Sequence, residues 1–346
     1  MADMQGRVSR YLQAGWRSHN WLSRSLLPLS SLYSLISSVR RRRLQARAAR
    51  LPRPLAVVGN IYLGGAGKTP FVIWLVRQWQ AQGVRVGVIS RGYGRRGDEV
   101  REVHADSRPE DCGDEPLLLK RALACPLFVA RQRYQAGLAL LAAYPEVEIL
   151  IADDGLQHYA LARDVEIVLC DTRGVGNGAL LPAGPLREGP ERARDFTVFN
   201  AGVSGQAAPA DAPQPCFTMR LQAGLCWRLQ APQETAGLDA LRQRHAGAPV
   251  LAAAGIGEPA RFFALLAQHG LPAATLALPD HYDFAQNPFA ASDAQLILIT
   301  EKDAVKCATH ASMREDGRIW VVPVIPHCDP LLAQLILEKC RGCSPA

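Results

Sequence analysis

Lys68 and Thr69 stand at the end of a glycine-rich stretch, "VVGNIYLGGAGKTP", residues 57–70. These residue types in this order suit phosphate binding. Glycines let a backbone curl and aim N–H groups inward. A lysine supplies a point charge for outer phosphates, and a threonine hydroxyl can hold magnesium. The candidate ATP-binding loop is therefore Tyr62, Leu63, Gly64, Gly65, Ala66, Gly67, Lys68 and Thr69. The common form of such a loop is Gly, four residues, then Gly-Lys-Ser/Thr. Here Tyr62 occupies the place of the first glycine. Gly59 or the Gly64-Gly65 pair can relocate the sharp turn, and a tight strand-to-helix turn without a ligand is the plain alternative.

Four further stretches carry chemistry. "ILIADDGLQH" ends an apolar run in Asp153 and Asp154, followed by Gln157 and His158. A magnesium-ATP enzyme needs an acid at such a strand end to orient the metal; a single acid there would merely cap a turn. "GDEP" places Asp114 at a helix start, where it is either a cap or a carboxylate that accepts a proton from a hydroxyl. "LPDHYDF" sets His281 between acids, the arrangement of a base with an orienting carboxylate or of an ordinary exposed turn. "LLPAGPLRE" ends a proline-bracketed loop in Arg187 and Glu188. Arginine suits phosphate recognition, and glutamate can serve a metal or a substrate.

The elements that must position these residues follow from periodicity. "RPLAVVGN" reads as a buried strand, "TPFVIWLVRQWQAQG" as a helix stopping at Gly83, and "VRVGVIS" as a second strand. The loop thus sits at the carboxyl edge of a βαβ unit. "GDEPLLLKRALA" and "RQRYQAGLALLAAYP" read as helices; "CPLFVA", "VEILIADDGLQH" and "VEIVLCDTRG" read as strands. Such alternation predicts an α/β fold with a mostly parallel sheet. "GVSGQAAPADAPQPC" has the composition of an exposed linker. A second α/β region starts near residue 248, in which "AQLILITEKDAVK" and "RIWVVPV" read as strands.

Charge is distributed unevenly. Residues 1–53 hold eleven arginines against Asp3, a balance of +10 within a net charge of +7, so the rest of the chain is slightly acidic at −3. "WLSRSLLPLSSLYSLISSV" is too polar for a spanning helix. Its tryptophan and leucines beside Arg40–Arg43 suit either a segment in an anionic membrane interface or a helix packed on the protein's own body. Nucleic-acid binding is not expected, because the arm lacks a recognised fold and base-reading residues. The nine cysteines form no framework. Cys340 and Cys343 make a C-x-x-C without a second ligand pair nearby, and the set reads as the thiols of a reduced cytosolic protein.

"VVGNIYLGGAGKTP", "SRGYG", "GDEP", "DDGLQH", "LLPAGPLRE", "DHYDF" and "TEKDAVK" occur in this order. Together they closely resemble the tetraacyldisaccharide 4'-kinase family of lipid A biosynthesis, over about residues 50–306. That family shares the departure at Tyr62. The resemblance implies a P-loop NTPase-like domain joined to a smaller α/β domain with the active site between them. Residues 1–50 would be a basic membrane-interfacial arm, 51–205 the P-loop core and 206–346 the smaller domain. The implied reaction moves the γ-phosphoryl of ATP to the 4'-hydroxyl of tetraacyldisaccharide 1-phosphate, giving the 1,4'-bisphosphate lipid IVA. By match to the family motifs, Asp114 would be the catalytic base assisted by His281. Thr69, Asp153, Asp154 and Glu188 would serve Mg2+, and Gln157, His158 and Arg187 the substrate. The expected partners are the membrane-held lipid A precursor and an anionic membrane surface at the cytoplasmic face of the inner membrane, with no nucleic acid and no obligate protein partner. Two rival readings are a P-loop NTPase acting as a switch or targeting factor, and a membrane-interaction protein with a vestigial nucleotide site.

Overall fold

Strands covered on both faces need near-continuous apolar runs, and the run before the glycine loop is of that kind. In the computed structural model, which describes residues 15–16, 20–203 and 205–342, it forms β1 (Leu55–Asn60), buried throughout. β1 lies between two parallel neighbours, β5 (Ile149–Asp153) and β6 (Val165–Asp171). Beyond β5 come β2 (Val86–Ser90), β4 (Leu127–Val129) and an antiparallel edge strand, β3 (Arg101–Glu102). Beyond β6 come β7 (Phe196–Asn200), β8 (Cys216–Ala223) and a second antiparallel edge, β15 (Val324–His327). The nine-stranded sheet is mostly parallel, as the alternation of elements predicts.

Helices cover both faces. Before the sheet lie α1 (Trp21–Ser25) and α2 (Leu27–Gln45). α3 (Lys68–Ala81) buries Phe71, Trp74, Leu75 and Trp79 against one face. The short α4 (Pro109–Cys112) leads into α5 (Asp114–Ala122), which packs beside α3. α6 (Arg133–Ala143) covers the other face through Ala136 and Leu140. Each large apolar side chain buried this way contributes on the order of 1.5–3 kcal/mol.

A six-stranded sheet forms the smaller domain. Its order is β10 (Thr235–Ala236), β9 (Cys226–Arg228), β14 (Ile319–Val322), β13 (Leu296–Thr300), β11 (Val250–Ala254) and β12 (Ala274–Ala277). α7 (Leu238–Arg244) and α8 (Pro259–Gln268) cover one face; α9 (Glu301–Cys307) and α10 (Ala311–Arg314) cover the other.

The chain changes sheets between Ala223 and Cys226 and returns between Val322 and Val324. Residues 216–223 and 324–342, expected in the smaller domain, therefore belong to the large sheet and its helical layer. The final helix, α11 (Pro330–Gly342), buries Leu332 and Ile336 in the same core as α3, and the Trp79 indole donates to the Ala333 carbonyl at 2.9 Å. The linker-like run before residue 216 hides this return. A second difference concerns "TEKDAVK". It is helical, because the Thr300 hydroxyl accepts from the Asp303 amide at 3.2 Å and caps α9. That Thr-x-x-Asp spacing is an N-terminal helix signal that outweighs the apolar run before it.

The arm packs one face on the protein's own body and leaves an apolar face exposed. Pro28 sits in the first turn of α2, where a proline is tolerated. Ser23 and Ser30 are buried and donate to the carbonyls of Ala183 and Leu180 at 2.6 and 2.8 Å. The opposite face exposes Leu29, Leu32, Leu35, Ile36 and Val39, with Leu35 63% exposed. No helix among the described residues is long and apolar enough to cross a membrane. Residues 1–14 and 17–19 of the arm lie outside the described residues, as does Cys343 of the C-x-x-C pair.

Candidate active site

The phosphate loop leaves β1 and enters α3 through backbone that only glycine adopts cheaply. Gly64 and Gly67 have φ of +101° and +90°. Gly67 precedes α3 with no side-chain cap, so the first amides of the helix stay open to an anion. A Cβ on Gly67 would also collide with the Asn200 amide, which donates to the Ala66 carbonyl at 3.0 Å. Asn60 braces the loop from inside: its amide donates to the Tyr62 and Gly64 carbonyls, each at 2.8 Å, and its oxygen accepts from Lys68 at 3.3 Å.

Tyr62 has a structural job in place of the missing glycine. The Arg173 guanidinium lies over its ring, 4.3 Å from the centroid. The same guanidinium donates to the Gly65 carbonyl at 2.9 Å, pairs with Asp171 and reaches Glu258 of the smaller domain at 3.4 Å. The loop is thus clamped by aromatic and guanidinium contacts rather than by a tighter turn.

Asp153 ends β5 beside this loop, in register with Val58, and Asp154 follows it in the turn. Lys68 Nζ is 3.4 Å from Asp154 Oδ1. Burial works to raise the Asp154 carboxyl, but Lys68, Arg187 and Arg133 hold it below the ordinary range. Asp153 is 1% exposed, and neither carboxylate oxygen has a hydrogen-bond partner. Burial, then the negative Glu115 and Asp154, pushes it up to about 7. Such an orphaned carboxylate is costly unless a cation joins it. The buried Arg133 closes the turn behind, donating to the Asp154 carbonyl at 2.7 Å.

Gln157 connects several expected site residues. Its amide donates to Glu188 Oε1 at 3.0 Å and to the Asn60 carbonyl at 3.1 Å, and its oxygen accepts from Arg187 at 3.4 Å. Glu188 is buried and already serves Arg192 at 2.6 Å, with Arg41 of α2 at 3.7 Å. Its acceptor capacity goes to nitrogen donors. His158 is lowered to about 4 by burial and then by the charges of Arg133, Arg163 and Arg91, so its ring is neutral near pH 7.

The other end of the site spans the two domains. Asp114 opens α5 in the large domain and His281 follows β12 in the smaller one, and His281 Nδ1 is 2.9 Å from Asp114 Oδ2. His281 adopts the left-handed backbone region at φ +59°. Asp114 is 4% exposed. Burial would raise its carboxyl, but the His281 bond and the charges of Lys302 and Lys306 hold it well below the usual carboxylate range. Gly257 links this end to the loop: a Cβ there would lie 3.1 Å from the Gly65 nitrogen and 3.4 Å from Asp280 Oδ2. The close approach of the domains at that point leaves little room for a side chain.

The expected residues thus fall into three connected groups: the loop with Asp153 and Asp154, the Gln157–Arg187–Glu188 set, and the Asp114–His281 pair. Asn60, Arg133, Arg173 and Asn200 were not singled out in the sequence. For Asn60 and Asn200 a signal existed, a polar residue closing a fully buried apolar strand. Arg173 and Arg133 carried none.

The chain is similar to known proteins over most of its length. A family model described as "Tetraacyldisaccharide-1-P 4'-kinase" matches residues 22–341. A tetraacyldisaccharide 4'-kinase of Janthinobacterium sp. (strain Marseille) is 47% identical over 352 residues, covering 100% of both chains. One from Bordetella parapertussis is 50% identical over 327 residues, 92% of each chain. A solved structure described as the "apo" form of LpxK from Aquifex aeolicus in complex with ATP aligns with a TM-score of 0.75 at 28% identity, over 92% of this chain and 99% of that one.

Proposed function

The chain belongs to the tetraacyldisaccharide-1-P 4'-kinase family, and from that membership and the site geometry we propose that it transfers the γ-phosphoryl of ATP to the 4'-hydroxyl of tetraacyldisaccharide 1-phosphate. The observation that carries this reading is the Asp114–His281 pair, formed across two domains at 2.9 Å beside a phosphate loop. A switch protein needs the loop but not a base assembled over it.

Phosphoryl transfer asks mainly for positioning and charge neutralisation. The loop amides and the open end of α3 bind the phosphates, and Lys68 offsets their charge. Magnesium fits this site, because Asp153 has two buried oxygens without partners and Thr69 opens α3 nearby. Asp153, Asp154 and Thr69 would hold the ion, which would supply positive charge to the transferring group. Glu188 orders Gln157 and Arg187 toward the substrate instead.

The Asp114–His281 pair takes the hydroxyl proton. Asp114 supplies the negative charge, but its burial leaves His281, 31% exposed, as the outlet toward the acceptor. Closure of the small domain over the loop brings the pair into place and excludes water, which limits wasteful ATP hydrolysis. The apolar face of α2, continued by exposed Arg40 and Arg43, lies in an anionic membrane interface at the cytoplasmic face of the inner membrane, where the acyl chains of the acceptor stay. Tyr33 and Arg41 tie that helix to Arg187 and Glu188, so the docked surface and the site move together.

The test uses purified protein, magnesium, labelled ATP, detergent and the tetraacyldisaccharide acceptor. Label on the acceptor is the expected result. ATP hydrolysis with no labelled acceptor would sink the kinase reading in favour of an NTPase switch.

A further inference from the structure

"TEKDAVK" supplies two lysines that the reaction above leaves unused. We infer that Lys302 and Lys306 are positioning residues for the base: Lys306 fixes the Asp114 carboxylate, and Lys302 fixes which ring nitrogen of His281 carries the proton. This rests on the reading of Asp114 and His281 as the base.

The helix that carries them is fastened at its start. The Asp303 carboxylate accepts from the Gly255 amide through both oxygens at 3.1 Å and from the Thr300 hydroxyl at 2.6 Å. That ties the first turn of α9 to the end of β11. Lys302 and Lys306, four residues apart, then project from one side of the helix. Lys306 Nζ lies 3.0 Å from Asp114 Oδ2 and donates to the Tyr282 carbonyl at 3.1 Å. Tyr282 follows His281, whose left-handed backbone costs a non-glycine residue about 1 kcal/mol or more. One ammonium therefore holds the carboxylate and the strained turn that presents its partner.

Lys302 acts on the far side of the ring. Its Nζ is 3.0 Å from Glu115 Oε1, 3.6 Å from Asp280 Oδ1 and 3.3 Å from His281 Nε2. An ammonium only donates hydrogen bonds, so Nε2 accepts and the ring proton sits on Nδ1. Nδ1–H then donates to Asp114, while the single Nε2 lone pair is held by Lys302 and opens to the site when that ammonium turns fully to Glu115 and Asp280. A hydroxyl that attacks as the nucleophile must lose its proton to such a lone pair. The Tyr93 ring, 5.4 Å between centroids, walls the remaining side. Asp114 and Glu115 belong to the large domain, while His281, Lys302 and Lys306 belong to the small one. The base is complete only when the domains meet.

The test compares Lys302→Met and Lys306→Met with the unaltered enzyme. Steady-state kinetics should show kcat reduced about 10- to 100-fold for each, with KM for ATP changed less than about threefold. Lys306→Arg should recover part of the loss; Lys306→Gln replaces the methionine variant if that does not fold. In protein labelled with 15N-histidine, and with His281 assigned through His281→Gln, the ring should give one Nδ1–H pattern that becomes a tautomer mixture in Lys302→Met. Unchanged kcat in both variants, or lost kcat in Lys302→Met with an unchanged ring pattern, overturns the inference. Asp114→Asn and His281→Gln run alongside. If those two keep full turnover, the base reading itself fails; if they fall while the lysine variants do not, only the positioning role fails.

Discussion

The two ends of the site are built in opposite ways. The phosphate end is local: strand, glycine turn, lysine and helix run through residues 55–81 without interruption. The base end joins Asp114 and Glu115 to His281, Lys302 and Lys306, separated by up to 192 positions and lying on two sheets. A local site exists whenever its βαβ unit folds. A non-local one exists only while two domains stay together, so it can respond to what lies between them. The difference teaches why nucleotide binding and transfer should be separable in this protein.

Lys68→Ala should do the most damage. It removes charge at the phosphates in both ground and transition states, and turnover should drop by about 10³-fold, read in the labelled-phosphate assay. Near-normal turnover would mean that Lys68 serves Asp154 and Asn60 structurally and not the phosphates. Asp114→Asn should lower turnover by about 10²-fold while calorimetry finds nucleotide affinity preserved. Equal loss of both would erase the distinction between the two ends.

The arm comes next. Leu32→Asp combined with Ile36→Asp should weaken association with anionic vesicles by about a hundredfold or more, since each buried leucine-sized side chain contributes about 1.5–3 kcal/mol, while activity on detergent-dispersed acceptor persists. Undiminished vesicle binding would show that the exposed stripe serves something else. Tyr62→Gly is a sharper case, because it restores the common loop glycine. It should still raise KM for ATP by a few fold, as the guanidinium–ring contact is worth about 1 kcal/mol. An improved KM would mean that Arg173 does not brace the loop.

The smallest effect concerns pH. The His158 ring titrates near 4 when folded, below its ordinary 6.5. The unfolded chain thus binds the proton more readily, and this stability is present above about pH 6.5 and is lost as pH falls toward 4. In His158→Phe the drop in unfolding midpoint between pH 7 and pH 5 should be smaller than in the unaltered protein. An identical drop would show that the arginines around His158 do not restrain it.

The α/β class, the loop and the acids after β5 were legible because each is a short-range pattern. The cap on α9 was also local, yet the apolar run before it drew the reading toward a strand. The return of β8 and the edge strand β15 to the large sheet was not legible, since strands of mixed burial after a proline-rich lead-in carry little periodicity.

By itself the sequence determined which side chains are available and where the phosphate loop lies, because a strand, a glycine turn and a helix interact over a few residues. The tertiary structure decided the rest. It set Arg173 over Tyr62, left Asp153 without a partner, turned Ser23 of α1 and Ser30 of α2 inward and the apolar stripe of α2 outward, and closed two lysines around Asp114 and His281. Those outcomes depend on contacts between residues far apart in the chain. The free energy of such contacts comes from burial and charge that exist only after the two sheets have packed.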